Sequence, residues 1–396
     1  MTRKYLSILS ISLLCALTML GYLAPARAYV GLCCGKCGGN MPMNIAGGGI
    51  PETHEFRFKL SPMFMRMDGL RNNTSGVSRS TLLGMPVMMG QPTGKFMAVP
   101  RNMDMSMLNL ASGYSFTDDF FAGIMLMYQN NQMDMQFNSM MQGITGQSGY
   151  TMDSDGMSDT MLMSKYRLYS DDPLIPTSEI SLFLGLSLPT GSIDEKNRNH
   201  PLAVRRQEQL PYGMQLGSGT FDPGLGLLYQ GSRSPLWWGV DAIYTPRLYN
   251  NARDYRLGDE TRVDLYGMYQ FRYNLLTQLQ LNASHKGAIH GEMDDAKSGA
   301  AGRTTPGDPG SPYMSPLWDP DNYGGDKLVL SFGIQWQPMP LHIIDITAGL
   351  PVYQHLNGPQ LEEDYRVMAT WYVELPTAAS IRYRGRRTTQ QSHLGF

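Results

Sequence analysis

Soft sulfur is the first chemistry the sequence offers. The run "GLCCGKCGGNMPMN", from Gly31 to Asn44, carries Cys33, Cys34, Cys37, Met41 and Met43 on a glycine-rich backbone. Thiolate and thioether donors select soft metals, Cu(I) above all, and glycine lets a short chain wrap an ion. These five residues are the candidate metal ligands. An exported cysteine pair also oxidises readily to a disulfide, which leaves one of the three over. "CGKCG" is followed by no histidine, so it is not a haem attachment site. "GQPTGKF" has neither the spacing nor the Ser/Thr of a phosphate loop, and neither G-x-S-x-G nor H-E-x-x-H occurs. With no nucleophile, base and oxyanion hole to assemble, the chain reads as a non-enzyme.

Methionine extends the theme. Of 30 Met, 22 fall between Met41 and Met163, many two residues apart. Residues two apart on a strand point the same way. Met125 and Met127 share parity with Gln129, opposite Ile124, Leu126 and Tyr128. Met161 and Met163 share parity with Lys165 and Arg167, while Met63, Met65 and Met67 share parity with Arg57 and Lys59. If the greasy faces meet lipid, all of these line the interior. The expected result is a thioether sector toward the outer mouth, with Arg57, Lys59, Lys165 and Arg167 as cations able to tune permeation. A polar interior is also what any barrel has.

The elements that must position these residues are strands. "EFRFKL", "FFAGIMLMYQ" and "TRVDLYGMYQFRY" alternate with period two. Brief connections such as "SFTDD", "QGSRSP", "PMPL" and "ELPT" alternate with longer polar stretches near 68–101, 137–157, 189–212, 249–260, 290–325 and 353–363. Short turns at one end and long loops at the other are the rhythm of an outer-membrane barrel. The expected fold is all-β, a transmembrane antiparallel up-and-down β-barrel of 12–14 strands. Even parity and both termini on one side favour fourteen, the last being "TTQQSHLGF" at 388–396, which ends in Phe396; twelve stays open.

Compartment and composition agree with that fold. Arg3 and Lys4 precede an apolar run to Leu23 and a small-x-small site at Ala26-Arg27-Ala28, the pattern of a cleaved signal peptide. The expected organisation is signal peptide 1–28, a flexible periplasmic Cys/Met/Gly tail 29–52, and an outer-membrane barrel 53–396. Beyond Leu23 no apolar run is long enough for a helical span. With 17% charged residues and a net charge of −2, the chain has no basic field for nucleic acid.

Several phrases resemble a known family. "GYSFTDDFFAGIMLMY", "SLFLGLSLPTGS", "GSGTFDPGLGLLYQ", "DYRLGDETRVDLYGMY" and "GLPVYQHLNGPQLEEDYRV" are similar to exported transporter-like barrels labelled meta-pathway of phenol degradation proteins. That resemblance implies a Gram-negative outer-membrane channel, related to channels for hydrophobic substrates, that passes small hydrophobic or aromatic compounds. Its partners would be outer-membrane lipid and the barrel assembly machinery. The sulfur supports an alternative, in which the chain binds copper, as Cu(I), at its tail and transports it through a Met-lined barrel.

Overall fold

The computed structural model describes residues 41–45, 52–172 and 176–383. The leader 1–28, Cys33, Cys34, Cys37 and the strand expected at 388–396 lie outside the described residues.

One antiparallel sheet closes on itself. In chain order its strands are β1 (Glu55–Asn73), β2 (Ala98–Ser115), β3 (Phe120–Phe137) and β4, which is built of two pieces, Gly149–Met157 and Thr160–Ser170. Next come β5 (Ser178–Leu188), β6 (Asp222–Arg233), β7 (Leu236–Thr245), β8 (Glu260–Arg272), β9 (Leu275–Lys286) and β10 (Gly325–Met339).

The final ribbon, His342–Pro376, is 35 residues long. Straight, it would run roughly 115 Å, nearly four times the bilayer's hydrocarbon thickness. It folds back instead. Gly358 takes φ +67° in the turn, Gln354 Nε2 donates to the Glu363 carbonyl at 2.9 Å, and the Glu374 N–H donates to the Leu341 carbonyl at 3.0 Å. The first half, β11 (342–356), pairs with β10. The second, β12 (361–376), pairs with β1 from Glu55↔Pro376 to Leu70↔Leu361. The described residues thus cross the membrane zone twelve times.

The count of fourteen is therefore corrected. "ELPT" is not a hairpin turn: β12 meets β1 and leaves no edge for another strand. Pro376 ends the ladder, and the chain turns under the barrel so that Ser380 Oγ and Arg382 Nε both donate to Glu55 Oε1, at 2.6 and 2.8 Å. The stretch near 353–363 is likewise a tight turn rather than a long loop.

Strand faces segregate by polarity. On β7, Leu236, Trp238, Val240 and Tyr244 are exposed outward, while Trp237, Gly239, Asp241 and Ile243 are buried inward. Aromatic rings gird the outer surface at both ends of the apolar band. Phe56, Tyr114, Phe116 and Phe120 form a chain of neighbouring rings near the short turns. Tyr128 and Tyr244 mark the other edge, where their hydroxyls donate to Asp155 and Asp259, each at 2.8 Å.

Candidate pore lumen

The interior is built in three tiers. At the short-turn end it is ionic. Arg57 lies between the rings of Phe121 and Tyr372, 5.1 and 5.0 Å from their centroids. Lys165 Nζ and Arg167 Nη1 flank the Glu179 carboxylate at 3.8 and 3.9 Å, and Arg167 Nη2 reaches Asp119 at 2.7 Å. Three of the four cations read from the sequence thus sit against a ring or a carboxylate; the fourth, Lys59, holds the segment above.

That segment is Met41–Ile45, the described part of the 29–52 tail, and it lies inside the barrel. Met41, Met43 and Ile45 are buried among Phe183, Leu228, Trp237, Ile243, Tyr266, Met268, Leu276, Ile343 and Tyr372. Three inner-wall side chains hold it: Lys59 Nζ donates to the Met43 carbonyl at 2.9 Å, Gln335 Nε2 to the Met41 carbonyl at 2.9 Å, and Gln280 Oε1 accepts from Asn44 Nδ2 at 2.8 Å. The segment is a stopper, apolar toward the wall's greasy residues and polar where the wall is polar. Among the described residues, no group of three His, Cys, Asp or Glu is placed to hold a metal.

The third tier fills the long-loop end. Loops 189–221 and 287–324 fold over the mouth and bring Leu210, Met214, Met314, Leu317 and Trp318 into a cluster with wall residues Met103, Met133, Met135, Phe137 and Met152. Arg205 ties the loops together. Its guanidinium donates to Glu208 at 3.0 Å and to the carbonyls of Arg303 and Thr304 at 3.0 and 2.9 Å. Burial pushes Glu208 above the usual carboxylate range. His200, edge-on to Tyr150 at 4.7 Å, is pushed down to about 4 by the same cause.

Met63, Met65, Met67, Met125, Met127, Met161 and Met163 all lie on the inner parity, opposite exposed Phe56, Phe58, Ile124, Tyr128, Leu162 and Tyr166. The sequence reading missed the cap. Its signal was there: Leu210, Tyr212, Met214 and Leu216 are too apolar for a solvated loop.

The wall itself is interrupted. Below Ser158, β4 pairs with both β3 and β5; above it, Gly149–Met157 pairs with β3 alone. The space beyond is taken by the 189–221 loop. Ser158 Oγ donates to the Leu216 carbonyl at 2.5 Å, and Ser218 Oγ and the Gly191 N–H donate to the Asp159 carboxylate at 2.7 and 2.9 Å. The break sits at the level of Tyr128, where Tyr128 pairs with Met157 and the lipid-facing band ends.

A closed barrel with short turns, long loops, twin girdles and a filled lumen is the architecture of an outer-membrane channel. Solved structures with that fold are similar to it. A crystal structure of an outer membrane channel from Pseudomonas putida F1 superposes with a TM-score of 0.51 at 11% identity, over 84% of this chain and 100% of that one. A Pseudomonas aeruginosa FadL homologue gives 0.41 at 10% identity over 89% and 99% of the two chains. The P. putida toluene transporter TodX gives 0.40 at 9% over 83% and 91%. No protein-family profile and no curated protein sequence matches the chain.

Proposed function

We propose that the protein is a Gram-negative outer-membrane channel passing small hydrophobic molecules, aromatic hydrocarbons among them, and that it is exported by a leader at 1–28, inserted by the barrel assembly machinery and not catalytic. The phenol-pathway resemblance and the toluene named for one structural neighbour point to the same cargo class.

One observation carries the reading. Met41–Ile45 and the loop cap obstruct the axis, while the strand ladder of the wall is interrupted at Ser158 and Asp159, beside the lipid-facing band, where loop 189–221 fills the gap. A polar solute needs an aqueous axis; an apolar one gains by leaving sideways into acyl chains, where its transfer from water is favourable. Leu216 and the Asp159 hydrogen bonds are the removable closure.

The test is a cross-link. In a background with Cys33, Cys34 and Cys37 replaced by Ser, Ser158→Cys with Leu216→Cys ties the loop to the break. Oxidation is expected to lower toluene uptake by cells at least fivefold, with recovery on reduction. Equal uptake in both redox states of the cross-linked protein would refute a sideways path.

A further inference from the structure

The inner wall near the mouth carries a methionine row that the passage of apolar molecules does not call for. Cross-strand register sets Met67 opposite Met103, Met103 opposite Met133, and Met133 opposite Met152, on four adjacent strands. Met103, Met133 and Met152 are 3%, 4% and 1% exposed. Directly opposed residues on one face hold their Cβ atoms about 4.5–5.5 Å apart. The inner wall is concave, so the outer two of any three neighbours lean toward the middle one. Three flexible thioethers on such a surface can converge on a single ion.

Met also serves as an adaptable filler, and the face distribution separates the two roles. On β2 and β3 the lipid side uses Leu108, Leu110, Ile124, Leu126 and Tyr128; the lumen side of the same strands uses Met103, Met105, Met107, Met125, Met127, Met133 and Met135. The lumen face also carries Asn109, Gln129 and Asn131, and the outer face Asp104 and Asp134, yet on these two strands the thioether is confined to the lumen face. A filler confers no advantage in a row whose rigid neighbours could be Leu; a donor set does.

We infer that Met103, Met133 and Met152 form a binding site for a soft monovalent metal ion, Cu(I) or Ag(I), with Met67 completing the row. Neutral thioethers select such ions over hard cations, and Met103, Met133 and Met152 sit in an apolar cluster with Leu210, Met214 and Trp318. Met314 is engaged elsewhere, accepting from Arg205 Nη1 at 3.3 Å. This site is independent of the hydrophobic path, and either can fail alone.

Ag(I) is the probe, titrated against a competing chelator into detergent-purified full-length protein in which Cys33, Cys34 and Cys37 are Ser. One equivalent should bind, and the methionine methyl resonances of Met103, Met133 and Met152 should shift together. Met103→Leu/Met133→Leu/Met152→Leu, close in volume and apolar, should weaken that equivalent at least tenfold while keeping the heat-modifiable gel mobility of a folded barrel. If the triple variant does not fold, Met133→Leu alone must abolish the shifts at Met103 and Met152. Unchanged affinity in the folded variant, or binding that leaves those three methyls unmoved, overturns the inference.

Discussion

At the scale of single residues, the seam depends on Arg382. Glu55 and Glu374 are almost wholly buried, and Arg382 reaches both, at 2.8 Å from Glu55 Oε1 and 2.6 Å from Glu374 Oε2. Removing one partner of a buried ion pair costs about 3–5 kcal/mol, because the charge left behind has no water. Arg382→Ala is expected to lower the urea midpoint of unfolding by that equivalent, and Arg382→Lys by less. His200 gives a second expectation. Its folded pKa, about 4, is below the ordinary 6.5, so the unfolded loop takes up the proton first. The cap is fully stable above pH 6.5 and weakens as pH falls from 6.5 toward 4. Protection of the 197–210 amides from hydrogen exchange, taken relative to the intrinsic rate at each pH, should fall across that window and stay flat in His200→Gln. If the two proteins respond alike, His200 is not the sensor. The inward parity of Arg57 and Lys165 was legible in the sequence because strand alternation is local; their partners were not, since Phe121, Tyr372 and Glu179 come from other strands brought together by closure.

Elements show where local pattern stops being enough. Eleven strands follow from alternating stretches and short turns, but β4 is broken at Ser158 and Asp159 by contacts with residues 190–218, a feature no window of β4 itself encodes. The stretch 189–212, expected as a long polar loop, does belong to a long loop, 189–221, but Leu210 and Met214 of that loop are buried with Met314, Leu317 and Trp318 of loop 287–324. The break also suggests a variant. Asp159→Ala removes acceptors for Gly191 and for the N–H and hydroxyl of Ser218. Toluene uptake should rise about twofold to fivefold if this anchor holds the closure shut. A fall, or no change, would show that the loop is held elsewhere.

For the whole molecule, the decisive fact is that something lies inside it. A barrel was legible from alternation, yet whether it is open was not, because glycine and methionine in "GGNMPMN" fit a free tail as well as a stopper. Burial of Met41, Met43 and Ile45 in the lumen decides for the stopper among the described residues. Deleting residues 41–45 should raise single-channel conductance in planar bilayers at least threefold, since ions would then pass the lower tier. Lys59→Gln, which loses the charge that holds the Met43 carbonyl, should give intermittent openings. Silent bilayers in both cases would mean the loop cap alone sets the resistance.

Closure between Glu55 and Pro376 joins residues separated by nearly the whole described chain. Bringing such distant ends together costs about 5 kcal/mol of chain entropy, recovered only when the last ladder zips. Until then both margins carry amides that hydrocarbon cannot solvate. Birth of the cylinder is therefore all-or-none and late, and a chain interrupted upstream of Pro376 is left with two raw edges that can only pair with the wrong neighbour.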